Sequence, residues 1–207
     1  MSVKELSILT RQGSGSACRS IQGGFVEWLK GKNLDGLDSY SKSIRDENYW
    51  PEFTIIATII SNKQKEVSSR VGMAQTIKTS PFYKGWLYTV DKDYNDIRKG
   101  ILKKDIILVG SVSEKNSIKM HSTMMTTDPM NLYWMPETIT IIKAIEKIRS
   151  KGIPAYFTMD AGPNVKIICL KKDSEYINRT IKKIPGVIDT IICSPGQGVK
   201  LTKKHLF

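Results

Sequence analysis

Helical periodicity runs almost without interruption from residue 68 to about residue 124, and strand-like runs occur only before and after it. The segments 69–79, 82–90, 92–103 and 105–122 read as helices, divided by Ser80-Pro81, Asp91 and Lys104-Asp105. Ahead of that block, residues 53–61 are rich in Ile and Thr and read as a buried strand. Behind it, Pro136 opens a helix to about residue 150, with Ile139, Ile142, Ile145 and Glu146 spaced around it and Gly152 ending it. The period then changes. Residues 155–159 and 165–170 read as two strands around the turn Ala161-Gly162-Pro163-Asn164, 174–183 as a helix, and 187–193 as a third strand before Ser194-Pro195-Gly196. No regular βαβ alternation is present, so the sequence predicts an α+β layer fold. Near the start, 14–31 reads as a helix on Ile21, Phe25, Trp28 and Leu29, with Gly31 as its stop, and 32–50 as a polar connection or surface element. A break near Trp50 divides a short first piece, residues 1–50, from a domain spanning 51–207.

Composition narrows the function. The longest apolar stretches are far too short to cross a bilayer, and the first twenty residues carry no signal-peptide core. No membrane association is expected. The 3 cysteines are odd in number and far apart, and with only 2 histidines a zinc site would need an unusual ligand set. A reducing cytoplasm is the simplest compartment, and no metal ligands stand out. The net charge of +12 comes largely from lysines scattered in pairs, with no arginine-rich stripe and no interleaved aromatics, so nucleic acid is not an expected partner.

Three segments suit anions. In Gly13-Ser14-Gly15-Ser16-Ala17-Cys18-Arg19-Ser20, small residues at a helix start leave backbone N–H groups open. Ser16 and Arg19, three apart, share a face there. An arginine in a first turn opposes the helix dipole, and a bound anion would remove that conflict; a serine cap with an arginine running to solvent fits the same pattern. No Walker-type GK[ST] follows, so this is not a P-loop. Ser68-Ser69-Arg70 repeats the arrangement after the 53–61 strand. Asp160, between a strand and a tight turn, can point a carboxylate into a cleft or bond its own backbone as an Asx turn.

Together, residues 13–21 (GSGSACRSI) and 159–166 (MDAGPNVK), with supporting stretches at KEVSSRVGM and SPFYKGWL, resemble the mevalonate diphosphate decarboxylases. These belong to the galactokinase, homoserine kinase, mevalonate kinase and phosphomevalonate kinase (GHMP) superfamily. The resemblance implies a two-domain fold, here an incomplete N-terminal domain over 1–50 and an α/β-sandwich C-terminal domain over 51–207. It implies ATP-dependent decarboxylation of mevalonate 5-diphosphate to isopentenyl diphosphate, with Mg²⁺ arriving on ATP, and a cytoplasmic homodimer. Ser14 and Ser16, with backbone groups of Gly15, Ala17 and Cys18, would hold the diphosphate. Arg19 would grip the substrate carboxylate, and Ser69 and Arg70 would complete the diphosphate site. Asp160 would act as the catalytic carboxylate at the C3 hydroxyl.

The same resemblance implies a missing N-terminal segment, which in the family carries the loop cradling the ATP phosphates. SPGQGVK at 194–200 is glycine-rich but precedes no helix, so a C-terminal turn is the simpler expectation. The isolated chain is therefore expected to bind ATP poorly, not to turn over, and to expose apolar surface around Ile8, Ile21 and Phe25. Neighbouring alternatives are a monophosphate decarboxylase, a mevalonate 3-kinase, or a non-catalytic split subunit or remnant.

Overall fold

In the computed structural model of the chain, residues 1–62, 67–200 and Thr202 are described. The chain separates into two compact units, one made of residues 1–51 and 195–207 and the other of residues 52–194.

The first unit begins with helix α1 (Val3–Gly13), which Ser2 and Glu5 close with a reciprocal capping box. A 3-10 helix follows over Gly15–Ile21, then strand β1 (Phe25–Trp28), paired antiparallel with β2 (Ser41–Arg45). The helix expected over 14–31 is therefore not formed. Gly24, at φ +73°, turns the chain out of helical space, and Phe25-Val26-Glu27-Trp28 then alternates buried and less buried positions as a strand does. The 32–50 connection likewise contains β2. The expected apolar exposure is also redistributed. Ile21 and Phe25 are buried, Phe25 stacking on buried Trp50, whereas Val3, Leu9, Leu34 and Leu37 are exposed.

The second unit is built on a four-stranded antiparallel sheet ordered β4-β5-β3-β6, with β3 (Phe53–Ile59), β4 (Tyr156–Thr158), β5 (Lys166–Leu170) and β6 (Asp189–Cys193). Between β3 and β4 come α2 (Ser69–Thr79), α3 (Tyr83–Lys103), α4 (Ile106–Met125) and α5 (Pro136–Arg149); α6 (Lys171–Lys182) joins β5 to β6. This is the α+β class expected. Asp91 does not divide α3, because an exposed aspartate inside a helix costs only a few tenths of a kcal/mol against neighbouring residue types.

The core is predominantly isoleucine: Ile141, Ile145 and Ile148 of α5 and Ile177 and Ile181 of α6 meet Ile56 of β3, Phe157 of β4 and Ile167 of β5. Ile139 of α5 is exposed, and the buried stripe of that helix runs through Ile141, Ile142, Ile145 and Ile148. Full burial of such a side chain contributes about 1.5–3 kcal/mol, so this cluster holds the sheet to α5 and α6. The opposite hairpin of α3 and α4 reaches the sheet at β4, where the Tyr156 ring lies so close to Gly110 that a Cβ there would come within 2.1 Å of Cδ2.

Strand β4 is an edge of the sheet, and α4 and α5 cover that edge with side chains. Glu114 accepts a hydrogen bond from Phe157 N–H at 3.2 Å, and Ser117 Oγ accepts one from Met159 N–H at 3.0 Å. Arg149 of α5 donates to the Ala155 carbonyl at 2.9 Å while pairing in a two-pronged fork with Glu114, at 2.9 and 3.0 Å. Backbone groups that would otherwise template a foreign strand are thereby satisfied.

Candidate functional site

The serine-rich segment of the first unit is a 3-10 helix, and this changes the argument made for it. Arg19 lies in its last turn, so no helix dipole opposes the charge. The i,i+3 relation between Ser16 and Arg19 becomes stronger, since side chains three apart eclipse in a 3-10 helix. Ser14, Ser16, Arg19 and Ser20 are exposed, while Cys18 is fully buried and Ile21 is buried on the other side.

The segment is anchored beneath that exposed edge. Ser7 of α1 donates to the Cys18 carbonyl at 3.3 Å and accepts from Ser41 N–H at 2.8 Å, and Gln22 Nε2 bonds the Ser41 hydroxyl at 3.1 Å. Burial pushes the Cys18 thiol above its ordinary pKa, so it stays a neutral packing group. Gly15 lies over the Trp28 ring, where a Cβ would sit 3.0 Å from Cη2. Exposed hydroxyls, an exposed guanidinium and a small-residue backbone thus form one surface strip.

The glycine-rich tail belongs to the same unit. Gly24 N–H donates to the Gly196 carbonyl at 2.8 Å and Val199 N–H to Ile21 at 3.3 Å. A Cβ on Gly23 would stand 2.5 Å from Gly198 N, so these glycines serve close backbone packing. Ser194-Pro195-Gly196-Gln197-Gly198 therefore does not supply a phosphate cradle.

In the second unit, Ser68 caps α2 by accepting from Val71 N–H at 3.3 Å, which leaves Ser69 and Arg70 in the first helical turn. That turn is pinned from outside. Tyr133 donates its hydroxyl to the Val67 carbonyl at 3.1 Å, and a Cβ on Gly72 would lie 2.7 Å from Asn131 Nδ2. Residues 63–66, which lead into α2, lie outside the described residues.

Asp160 occupies the loop between β4 and β5. Its side chain is 80% exposed and pairs with Lys166 Nζ at 2.8 Å. The rest of the loop is tied down at each step. Thr138 donates to the Pro163 carbonyl at 2.9 Å, Asn164 Oδ1 accepts from Ile60 N–H at 2.9 Å, and Thr58 bonds the backbone of Val165. Because Ala57 of β3 pairs with Lys166 of β5, this loop and the exit of β3 toward α2 share one end of the sheet.

His121 of α4 lies beneath the loop, 1% exposed, its ring 5.6 Å from that of Trp134. Burial lowers its pKa to about 4, only partly opposed by a hydrogen bond to the Asp160 backbone. Nε2 is buried without a hydrogen-bond partner. Lys166, Ser117, His121 and Tyr133 were not legible as site residues, since each sits far along the chain from the residue it supports or in an unmarked strand position. Among the described residues, no group of three or more His, Cys, Asp or Glu is placed to hold a metal ion.

The layered second unit and the small-residue loop of the first define a GHMP-superfamily fold, which the matching solved structures share. Residues 55–199 match the model of the mevalonate 5-diphosphate decarboxylase C-terminal domain, and residues 1–41 that of the diphosphomevalonate decarboxylase-like N-terminal domain. The diphosphomevalonate decarboxylase of Saccharomyces cerevisiae is 34% identical over 99% of this chain and 51% of its own length. A structure of MDDEF in complex with MVAPP, AMPPCP and magnesium superposes with a TM-score of 0.90 at 38% identity, over 99% of this chain and 62% of that one. The mevalonate diphosphate decarboxylase of Staphylococcus aureus gives 0.88 at 36% identity, over 96% and 60%. The chain belongs to the mevalonate diphosphate decarboxylase family. It spans about half the length of the curated relatives it matches.

Proposed function

We propose that this chain carries the diphosphate-binding and catalytic side chains of an ATP-dependent decarboxylase acting on mevalonate 5-diphosphate. The observation that carries the reading is the exposed strip of Ser14, Ser16 and Arg19 on a rigidly anchored small-residue segment, within a chain of this family. Hydroxyls and backbone N–H groups of residues 14–18 bind the diphosphate, Arg19 forms a fork with the substrate carboxylate, and Ser69 and Arg70 add donors from α2.

Asp160 orients the tertiary C3 hydroxyl. A carboxylate of ordinary pKa near ~4 is too weak to ionise an alcohol in advance. It accepts the hydroxyl proton late, as the oxygen bonds to the γ-phosphorus of ATP and the bond to ADP breaks. Loss of phosphate from C3 then takes the electron pair of that C–O bond, and the C–CO₂ bond supplies the pair that forms the alkene. Asp160 faces the carbon that turns electron-poor in this second step. ATP brings the phosphoryl group and Mg²⁺ rides on its phosphates. We place it in the cytoplasm, as a homodimer when assembled.

A second reading is a non-catalytic remnant. The test is a chimaera in which this chain replaces the matching stretch of the S. aureus relative. Release of CO₂ from the diphosphate in preference to the monophosphate, falling more than tenfold in Asp160→Asn, is the expected result. Phosphorylation without CO₂ release would make it a 3-kinase. A silent chimaera that binds substrate would favour the remnant.

A further inference from the structure

The edge of β4 is held by side chains as a neighbouring strand would hold it, and the ladder continues beyond the strand to Asp160. Reading along it, Arg149 donates to Ala155 O, Glu114 accepts from Phe157 N–H, Ser117 accepts from Met159 N–H, and the buried His121 ring reaches the Asp160 backbone. Glu114, Ser117 and His121 recur at spacings of three and four, so they form one stripe of α4. Two of them, Ser117 and His121, are 4% and 1% exposed, and they lie against the backbone of two successive residues, Met159 and Asp160.

We propose that Ser117 and His121 are positioning residues that fix the backbone of Met159 and Asp160 and thereby set the direction of the Asp160 carboxylate. Three features support this over a general packing role. The first is placement: the Asp160 carboxylate is 80% exposed, whereas Ser117 and His121 beneath its backbone are buried. The second is chemistry. A buried histidine that keeps one ring nitrogen without a partner gives up a hydrogen bond, and a leucine of similar size would pack there without that loss. The third is rigidity: Gly110 lets α4 approach the Tyr156 ring, which sets the height of the stripe over β4. Misplacement of a reacting group by 1 Å costs on the order of a hundredfold in rate, so a fixed backbone matters most at this residue.

This inference rests on the assignment of Asp160 as the catalytic carboxylate, and its test is separable from that assignment. In the chain with ¹³C-labelled carboxyl groups, the Asp160 signal is the one lost in Asp160→Asn. We expect it to shift in Ser117→Ala and in His121→Leu. It should return to its parent place in Ser117→Thr, which keeps the hydroxyl, and in His121→Asn, whose side-chain amide keeps a donor at that position. The Met159 amide should exchange at least tenfold faster in Ser117→Ala and recover in Ser117→Thr. Variants that melt at lower temperature with the Asp160 signal and the Met159 exchange unmoved would make both residues structural and overturn the proposal. Where one variant fails to fold, the other helix position gives the same reading. An error in the catalytic assignment alone would show differently, as an active chimaera whose Asp160→Asn form keeps its turnover.

Discussion

Protonation of His121 opposes this fold. Its folded pKa of about 4 lies below the ordinary histidine value because burial disfavours the charged ring. Between those two values the unfolded chain binds a proton that the folded chain does not. Stability contributed by the neutral ring is therefore present above about pH 6.5 and is lost as pH falls toward 4, at up to about 1.4 kcal/mol per pH unit. Urea titrations of the parent at pH 7, 6, 5 and 4 should show this loss, and the difference from His121→Asn should follow the same window. A parent and variant with parallel profiles would contradict it. At the same scale, Gly15→Ala would press a methyl group against Trp28, 3.0 Å away, and displace Ser14 and Ser16. Fluorescence of Trp28 should report the displacement.

Among the elements, α4 carries the most consequential contacts. Gly110→Ala places a Cβ 2.1 Å from the Tyr156 ring and should destabilise by about 1–3 kcal/mol, read from the urea midpoint. Glu114 binds both Arg149 and Phe157 N–H, with 18% and 30% of the two charged side chains exposed. Glu114→Gln should cost about 2 kcal/mol, less than the ~3–5 for a fully buried pair because water reaches both groups. An unchanged midpoint would show the fork to be dispensable. Elements bounded by strong punctuation were legible in the sequence. Ser80-Pro81 ends α2, Pro136 opens α5 and AGPN separates β4 from β5, each because proline, glycine or a capping side chain acts locally. The stretch 14–31 was misread because Ile21, Phe25 and Trp28 fit a helical period as well as they fit a 3-10 turn followed by a strand. Only the Gly23-Gly24 pair distinguished them, and its meaning depends on a close approach to Arg45 that local pattern cannot supply.

For the whole molecule, the residues proposed for the site fall in two compact units, Ser14, Ser16 and Arg19 in one and Ser69, Arg70 and Asp160 in the other. Contiguous motifs such as GSGSACRS and MDAGPNVK were readable because their chemistry is local in sequence. The support from Ser117 and His121 was not, because about forty residues of chain separate them from Asp160 and only the packing of α4 on β4 brings them together. No helix among the described residues is long and apolar enough to cross a membrane. The central claim is that the 14–19 strip recognises a diphosphate-bearing substrate. Isothermal titration of mevalonate 5-diphosphate into the chain tests it most directly, with unphosphorylated mevalonate and a Lys99→Ala surface variant as controls. The account predicts measurable binding of the diphosphate, unaffected by Lys99→Ala, and weakened at least tenfold, about 1.4 kcal/mol, in Arg19→Met and in Ser16→Ala. No binding, or equal affinity in parent, Arg19→Met and Ser16→Ala, would contradict it.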